Sequence, residues 1–274
     1  MWSQPVPNYS GRVADPAETA KILKGLRSQK IQPFVEVPAV QSGKSAFSGA
    51  PSMPSKRTTE PIVTGSSILA IRFAGGVMLA ADTLGSYGRL AMFESFQRIR
   101  SVAPGTLIAG GGDLSDFQQI MKMLGDMANR DFCHDDGHHA SAAQFWSYLT
   151  RVMYQRRMKG DPLWNQVVLA GVSQDDGKPF LGFVDLRGTA YQEDIVATGY
   201  GAYIAIPLLR DRFRPDLSAE EARSILVDAM RVLQYRECRT INRIQFASIT
   251  ADATVIEPAA PIDLHWDISE GVSH

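Results

Sequence analysis

Residues 64–83 read TGSSILAIRFAGGVMLAADT, two runs of β-forming residues on either side of Ala74-Gly75-Gly76. With Val63 added, Val63 to Phe73 and Gly76 to Ala81 are predicted strands and the small residues between them a hairpin turn. Downstream, Thr106 to Ala109 reads as another strand that ends at Gly110-Gly111-Gly112. Phe117, Ile120, Met121, Leu124 and Met127 then recur at helical spacing after the polar starters Asp113 or Ser115. Ser141 with Gln144 forms a capping box ahead of Phe145, Leu149, Val152 and Met153, which predicts a second helix.

The pattern then repeats. Val167 to Val172 and Phe180 to Val184 are short apolar runs divided by the turn-forming Gln174-Asp175-Asp176-Gly177-Lys178. A third helix carries Ala202, Ile206, Leu209 and Phe213, with Pro207 implying a late start or a kink. Ser218 and Glu221 cap a fourth, whose apolar face is Ala222, Ile225, Leu226, Ala229, Met230 and Leu233. Ile244 to Ile249 and Thr254 to Ile256 close the series as strands. Blocks of strands alternating with helix pairs, and joined by hairpins, argue against a βαβ winding. They predict an α+β domain: a four-layer α/β/β/α sandwich of two antiparallel sheets.

Upstream the composition changes near residue 57. Residues 1–57 hold seven of the fifteen prolines and eight Lys/Arg against three Asp/Glu, leaving 20 against 26 for the rest. Such a segment buries too little to offset its ordering entropy, although Ile22, Leu23 and Leu26 could line a short helix. It reads as a disordered, removable leader; Asp15 and Glu18 count against a mitochondrial transit peptide. Residues 58–257 form the domain and 258–274 an arm.

The chain as a whole, 274 residues at 45% hydrophobic and 21% charged, reads as a soluble globular protein. The acidic body offers no nucleic-acid surface, no apolar run is long enough to span a membrane, and no secretory signal opens the chain. Cys133 and Cys238 are too few for a disulfide framework, in keeping with an intracellular compartment.

Three groups of residues could carry chemistry. Asp131, Cys133, His134, Asp135, Asp136, His138 and His139 crowd what reads as the link between the first two helices. Metal sites need converging ligands with support behind them, so this reads as a solvated connection and no metal site is assigned. The run Ala109 to Asp113 lacks the Lys-Ser/Thr of a phosphate loop and the dinucleotide spacing of glycines; it reads as a tight strand-to-helix turn. The third group is dispersed: Gly65-Ser66, Asp82, Arg98, and Glu237 with Thr240. A hydroxyl at a newly exposed chain terminus can use its own α-amino group as base, provided the chain is cut just before it.

At these residues the sequence resembles the proteasome beta-type subunits. The likeness runs from residues 64–83 and Gly85-Ser86-Tyr87-Gly88 through AGGGDLSDFQ (109–118), YLTRVMYQRRMKGDPLWN (148–165), FLGFVDLRG (180–188), ATGYGAY (197–203) and MRVLQYRECR (230–239). It spans essentially all of residues 58–274, and within the family its details resemble the beta seven, or beta type 4, branch. The resemblance implies an N-terminal-nucleophile hydrolase fold, a cleaved propeptide, no cofactor, and a place in the cytoplasm and nucleus. The implied partners are the other alpha and beta subunits of a twenty-eight-subunit barrel containing two copies of this chain, together with assembly chaperones.

Catalytic members of that family place Thr at the mature terminus, followed by Asp, Lys, a later Asp and Ser, and a Ser in the Gly-rich turn before the third helix. Here Asp82 matches, but Ser66, Arg98, Glu237, Thr240 and Tyr200 stand at the other positions. Arg98 cannot give up its proton. Glu237 is a methylene too long for geometry in which an ångström costs about a hundredfold. Tyr200 puts a ring where a small hydroxyl belongs. The resemblance further implies cleavage between Arg57 and Thr58, which leaves Ser66 internal and without a terminal amine. The expectation is a non-catalytic subunit. The arm residues Leu264, Trp266 and Ile268 are expected to dock on another chain, and Gly85-Ser86-Tyr87-Gly88 and Met92-Phe93 to be ring contacts or core. The enzyme alternative is an N-terminal-serine hydrolase self-processed at Gly65-Ser66, with Asp82 and Arg98 in support; the binding alternative is a free-standing protein using the His/Asp loop.

Overall fold

A computed structural model describes residues 60–134, 139–173 and 177–266. The leader, the Arg57-Thr58 bond, Asp135, Asp136, His138 and Ile268 lie outside the described residues.

Two antiparallel sheets form the centre. One contains β1 (Val63–Gly65), β4 (Gly85–Tyr87), β5 (Leu90–Phe93), β6 (Ile99–Ala103), β7 (Thr106–Asp113), β8 (Asn165–Val172), β9 (Pro179–Val184) and β10 (Ala190–Gln192). Its strand order is β10-β9-β8-β7-β1-β4-β5, with β6 also paired to β7. The other has the order β11-β2-β3-β12-β13, made of β2 (Ile68–Phe73), β3 (Gly76–Asp82), β11 (Ile195–Ala197), β12 (Ile244–Thr250) and β13 (Thr254–Ile256). Helices α1 (Leu114–His134) and α2 (Ala142–Met158) cover the first sheet, while α3 (Gly201–Arg212) and α4 (Ala219–Arg236) cover the second.

Strand alternation builds the layers. Ile68 and Ala70 of β2 face Leu107, Ala109, Val168 and Ala170 between the sheets. Leu69, Ile71 and Phe73 of the same strand face Leu226, Met230 and Leu233 of α4. On the far side Ile108, Val167 and Leu169 meet Phe117, Ile120, Phe145 and Leu149. The four-layer α/β/β/α sandwich is therefore present. Both capping boxes form, with Ser141 accepting from Gln144 N and Ser218 from Glu221 N.

Four local expectations change. Val63 to Phe73 is not one strand: it breaks at Ser66-Ser67, whose carbonyls turn to Arg98, and the chain passes from one sheet to the other there. β7 does not stop at Ala109 but runs on through Gly110-Gly111-Gly112 to Asp113. The Phe117 ring lies over Gly110, where an added Cβ would come within 2.1 Å, so the missing side chains permit close packing within a strand. Asp131, Cys133 and His134 belong to the last turns of α1; past Met127 and Ala128, which still pack on the core, the helix is mostly exposed, so its apolar period fades while the helix continues. Helix α3 begins at Gly201 with Pro207 in its interior, so there is no late start. Among the described residues, no helix is long and apolar enough to cross a membrane.

Candidate functional site

Ser66 sits at the crossover between β1 and β2. Before it, β1 is an interior strand: Thr64 pairs with Ser86 of β4 and with Asp113 of β7, and Gly65 with Gly85 and Gly112. The Ile62 N–H donates to Asp113 Oδ2 at 2.8 Å, which ties the approach to β1 as well. Burial opposes ionisation of Asp113, but hydrogen bonds from Ser115, Ile62 and Asp116 outweigh it and hold the carboxyl below its ordinary range. The same carboxylate caps α1 by accepting from Ser115 N and Asp116 N.

Beneath Ser66 lies Arg98, fully buried although charged. Its five N–H donors all find acceptors. Nε donates to Gly110 O at 3.3 Å; Nη1 to an Asp82 carboxylate oxygen and to Asp82 O; Nη2 to Ser66 O and to Ser67 O at 2.9 Å. Burial pulls the guanidinium pKa down against the opposing pull of Asp82 and Glu237. Burial likewise pushes the Asp82 carboxyl up, only partly offset by Arg98 and by hydrogen bonds from Ile241 N–H and the Thr240 hydroxyl. Gln234 Nε2 fixes that hydroxyl at 2.7 Å.

Glu237 ends α4, where the helix dipole disfavours a carboxylate. Two hydroxyls satisfy it: Ser66 Oγ donates to one oxygen and Ser67 Oγ to the other at 2.8 Å. Ser67 Oγ in turn accepts from Gly201 N at 2.9 Å, capping α3. Tyr200 is 59% exposed and makes no side-chain cap. It borders a cleft of about 310 Å³ together with Thr64, Ser66, Asn165, Glu237 and Arg239. The six positions picked from sequence thus fall in one neighbourhood but in two tiers. Arg98, Asp82 and Thr240 form a saturated network below; Ser66, Glu237 and Tyr200 border the cleft above.

Sequence reasoning missed Ser67 and Gln234; Asp113, read there as a possible helix starter, does cap α1, and its tether to Ile62 was not foreseen. The Ser-Ser doublet after Gly65 was the available signal for Ser67; Gln234, on the apolar face of α4, offered a second as a polar interruption.

Residues 62–249 match the family model described as proteasome subunit. The chain belongs to the proteasome subunit family. It is 43% identical over 220 residues to the proteasome subunit beta type-4 of Dictyostelium discoideum, spanning 78% of this chain and 83% of that protein. It is 41% identical over 222 residues to a probable proteasome subunit beta type-7 of Schizosaccharomyces pombe, spanning 79% and 84%. The beta type-7 subunit of Saccharomyces cerevisiae is 36% identical over 237 residues, spanning 82% and 89%. This beta-subunit relationship accords with the sandwich.

Elsewhere, Asp131, Cys133, His134 and His139 are the described members of the His/Asp cluster. Asp131 Oδ2 accepts the Ala140 N–H at 2.7 Å, fastening the end of α1 to the start of α2. Among the described residues no three His, Cys, Asp or Glu side chains gather as metal ligands do. Gly85 and Ser86 are buried, whereas Tyr87, Gly88, Met92 and Phe93 are exposed and not core in this chain. Trp266 is half exposed with its ring edge-on to Tyr235, and Leu264 is part-buried.

Proposed function

We propose that this chain is a non-catalytic, structural beta-ring subunit of the proteasome core, assembled with other alpha and beta subunits and acting in ATP- and ubiquitin-dependent protein degradation in cytoplasm and nucleus. The observation that carries this reading is the seating of β1 between β4 and β7. A terminal amine at Ser66 requires a cut immediately behind a strand that is hydrogen-bonded on both sides, and without that cut the hydroxyl lacks the α-amino base that an N-terminal nucleophile uses. The surroundings support the same reading. Arg98 has no donor left over and cannot shuttle protons. The Ser66 hydroxyl is committed to Glu237, a residue too long to reproduce the family's aspartate. Processing between Arg57 and Thr58 by an active neighbour leaves β1 in place.

Ser66 and Glu237 do border a cleft, which is the feature that favours the hydrolase alternative. Replacing Ser66 by Ala in assembled particles separates the two readings. A scaffold retains normal incorporation, measured by size-exclusion chromatography, and an unchanged set of peptidase activities. Selective loss of one activity with normal assembly supports the hydrolase.

A further inference from the structure

Beyond Glu257 the chain lies along the seam between α4 and β12, and none of residues 258–266 is fully buried. The root is clamped: Arg223 grips Glu257 through Nη1–Oε1 at 2.5 Å and Nη2–Oε2 at 2.8 Å, with its guanidinium 4.5 Å above the Phe246 ring. Past that point the following hydrogen bonds reach the main chain of the segment. Ile244 exchanges two hydrogen bonds of 2.9 Å with Ala260. Asn242 donates to Ile262 O at 2.8 Å and accepts from Ile262 N at 2.9 Å. Arg231 Nε donates to Asp263 O at 2.9 Å, and the Tyr235 hydroxyl accepts from His265 N at 2.6 Å.

This is how an extended peptide is bound: the backbone supplies the hydrogen bonds and a few side chains supply anchors. Ile262 packs on the core between α4 and its sheet, and Trp266 meets Tyr235 at 5.1 Å between ring centres. Pro258 and Pro261 fall between the bonded positions, where no N–H is needed, and they favour the extended form before binding. The bonds at Asp263 and His265 are exposed and those at Ile262 part-buried, and exposed hydrogen bonds with little apolar burial mark a segment that opens locally without unfolding what lies beneath. Beneath it Ile244 and Phe246 are buried with Met230 and Leu233.

We propose that the α4–β12 seam is an extended-peptide groove that residues 258–266 fill in cis and that accepts the same segment from a second copy of this chain when its own strap opens. The bound segment is the template for its replacement, so the identical segment fits by construction, and exchange of an identical element between copies costs little.

The test uses the full chain and a fluorescein-labelled PAAPIDLHW peptide followed by fluorescence polarisation. Ile262→Ala weakens the strap without altering the groove, so this variant is expected to bind the peptide about tenfold more tightly than the unmodified chain, whose groove is occupied. Adding Asn242→Ala removes the backbone clamp and is expected to abolish the gain. An Ile262→Ala chain with native circular dichroism that binds no better than the parent overturns the proposal, as does binding indifferent to Asn242. Hydrogen exchange on the unmodified chain decides independently should the variant not fold. The amides of Ala260, Ile262 and His265 are expected to exchange at least about tenfold faster than those of β12; equal rates mean that the strap opens only with the body and overturn the proposal.

Discussion

Replacing Arg98 by Met deletes the buried cation while keeping most of the side-chain length. It strands Asp82, 1% exposed, beside Glu237, and it removes the donors to Ser66 O, Ser67 O and Gly110 O. Breaking a buried ion pair on one side costs about 3–5 kcal/mol, because the remaining charge is uncompensated. For a domain of this size one kcal/mol corresponds to about 2–4 °C, so the thermal midpoint of the full chain is expected to fall by about 6–20 °C. Circular dichroism on heating measures it. Arg98→Met combined with Asp82→Leu removes both charges and is expected to recover more than half of the loss, since an apolar pair can replace a buried ion pair at little cost.

The deficit also has a direction in pH. Without Arg98, burial and Glu237 raise the folded-state pKa of Asp82 further above its unfolded value of about 4. The folded state then holds a proton that the unfolded chain releases, so stability falls as pH rises through that interval. The single variant should therefore be closest to the parent in mild acid and furthest from it near neutrality. A variant melting within about 2 °C of the parent at neutral pH would refute the idea that Arg98 is the structural lock of the crossover.

Other perturbations test neighbouring parts. A Cβ at Gly65 would come 2.8 Å from Arg98 Nε, whose group has no freedom to move, so Gly65→Ala should cost about 1–3 kcal/mol in denaturant titration. The same change at Gly125, in α1 with open space around it, should instead stabilise by about 0.5–1 kcal/mol. Asp113→Ala removes the cap of α1 and the tether on Ile62, an expected loss of about 1–2 kcal/mol. Because the folded pKa of Asp113 is lowered, its contribution is present above the unfolded carboxylate pKa and is lost as pH falls through the folded value. Variant and parent stabilities should therefore converge in strong acid.

The layers were legible in the sequence because amphipathic helices and capping boxes are local, and Ser218-Glu221 and Ser141-Gln144 announce their helices directly. The crossover at Ser66 was not, since nothing within Val63–Phe73 says that two carbonyls will turn toward an arginine some thirty residues on. Short strands such as β10 and β11 also escaped, because pairing across the sheets rather than three residues of propensity creates them. Ser66, Asp82, Arg98, Glu237, Thr240 and Tyr200 could be named from their likeness to a family motif. The sealing of Arg98 and Asp82 beneath a cleft bordered by Ser66, Glu237 and Tyr200 depended on packing, which residue identity does not encode.

The central claim is that Ser66 stays inside the chain. The intact mass of this subunit isolated from assembled particles tests that claim most directly: a chain beginning at Thr58 is the expected result, and one beginning at Ser66 would contradict it.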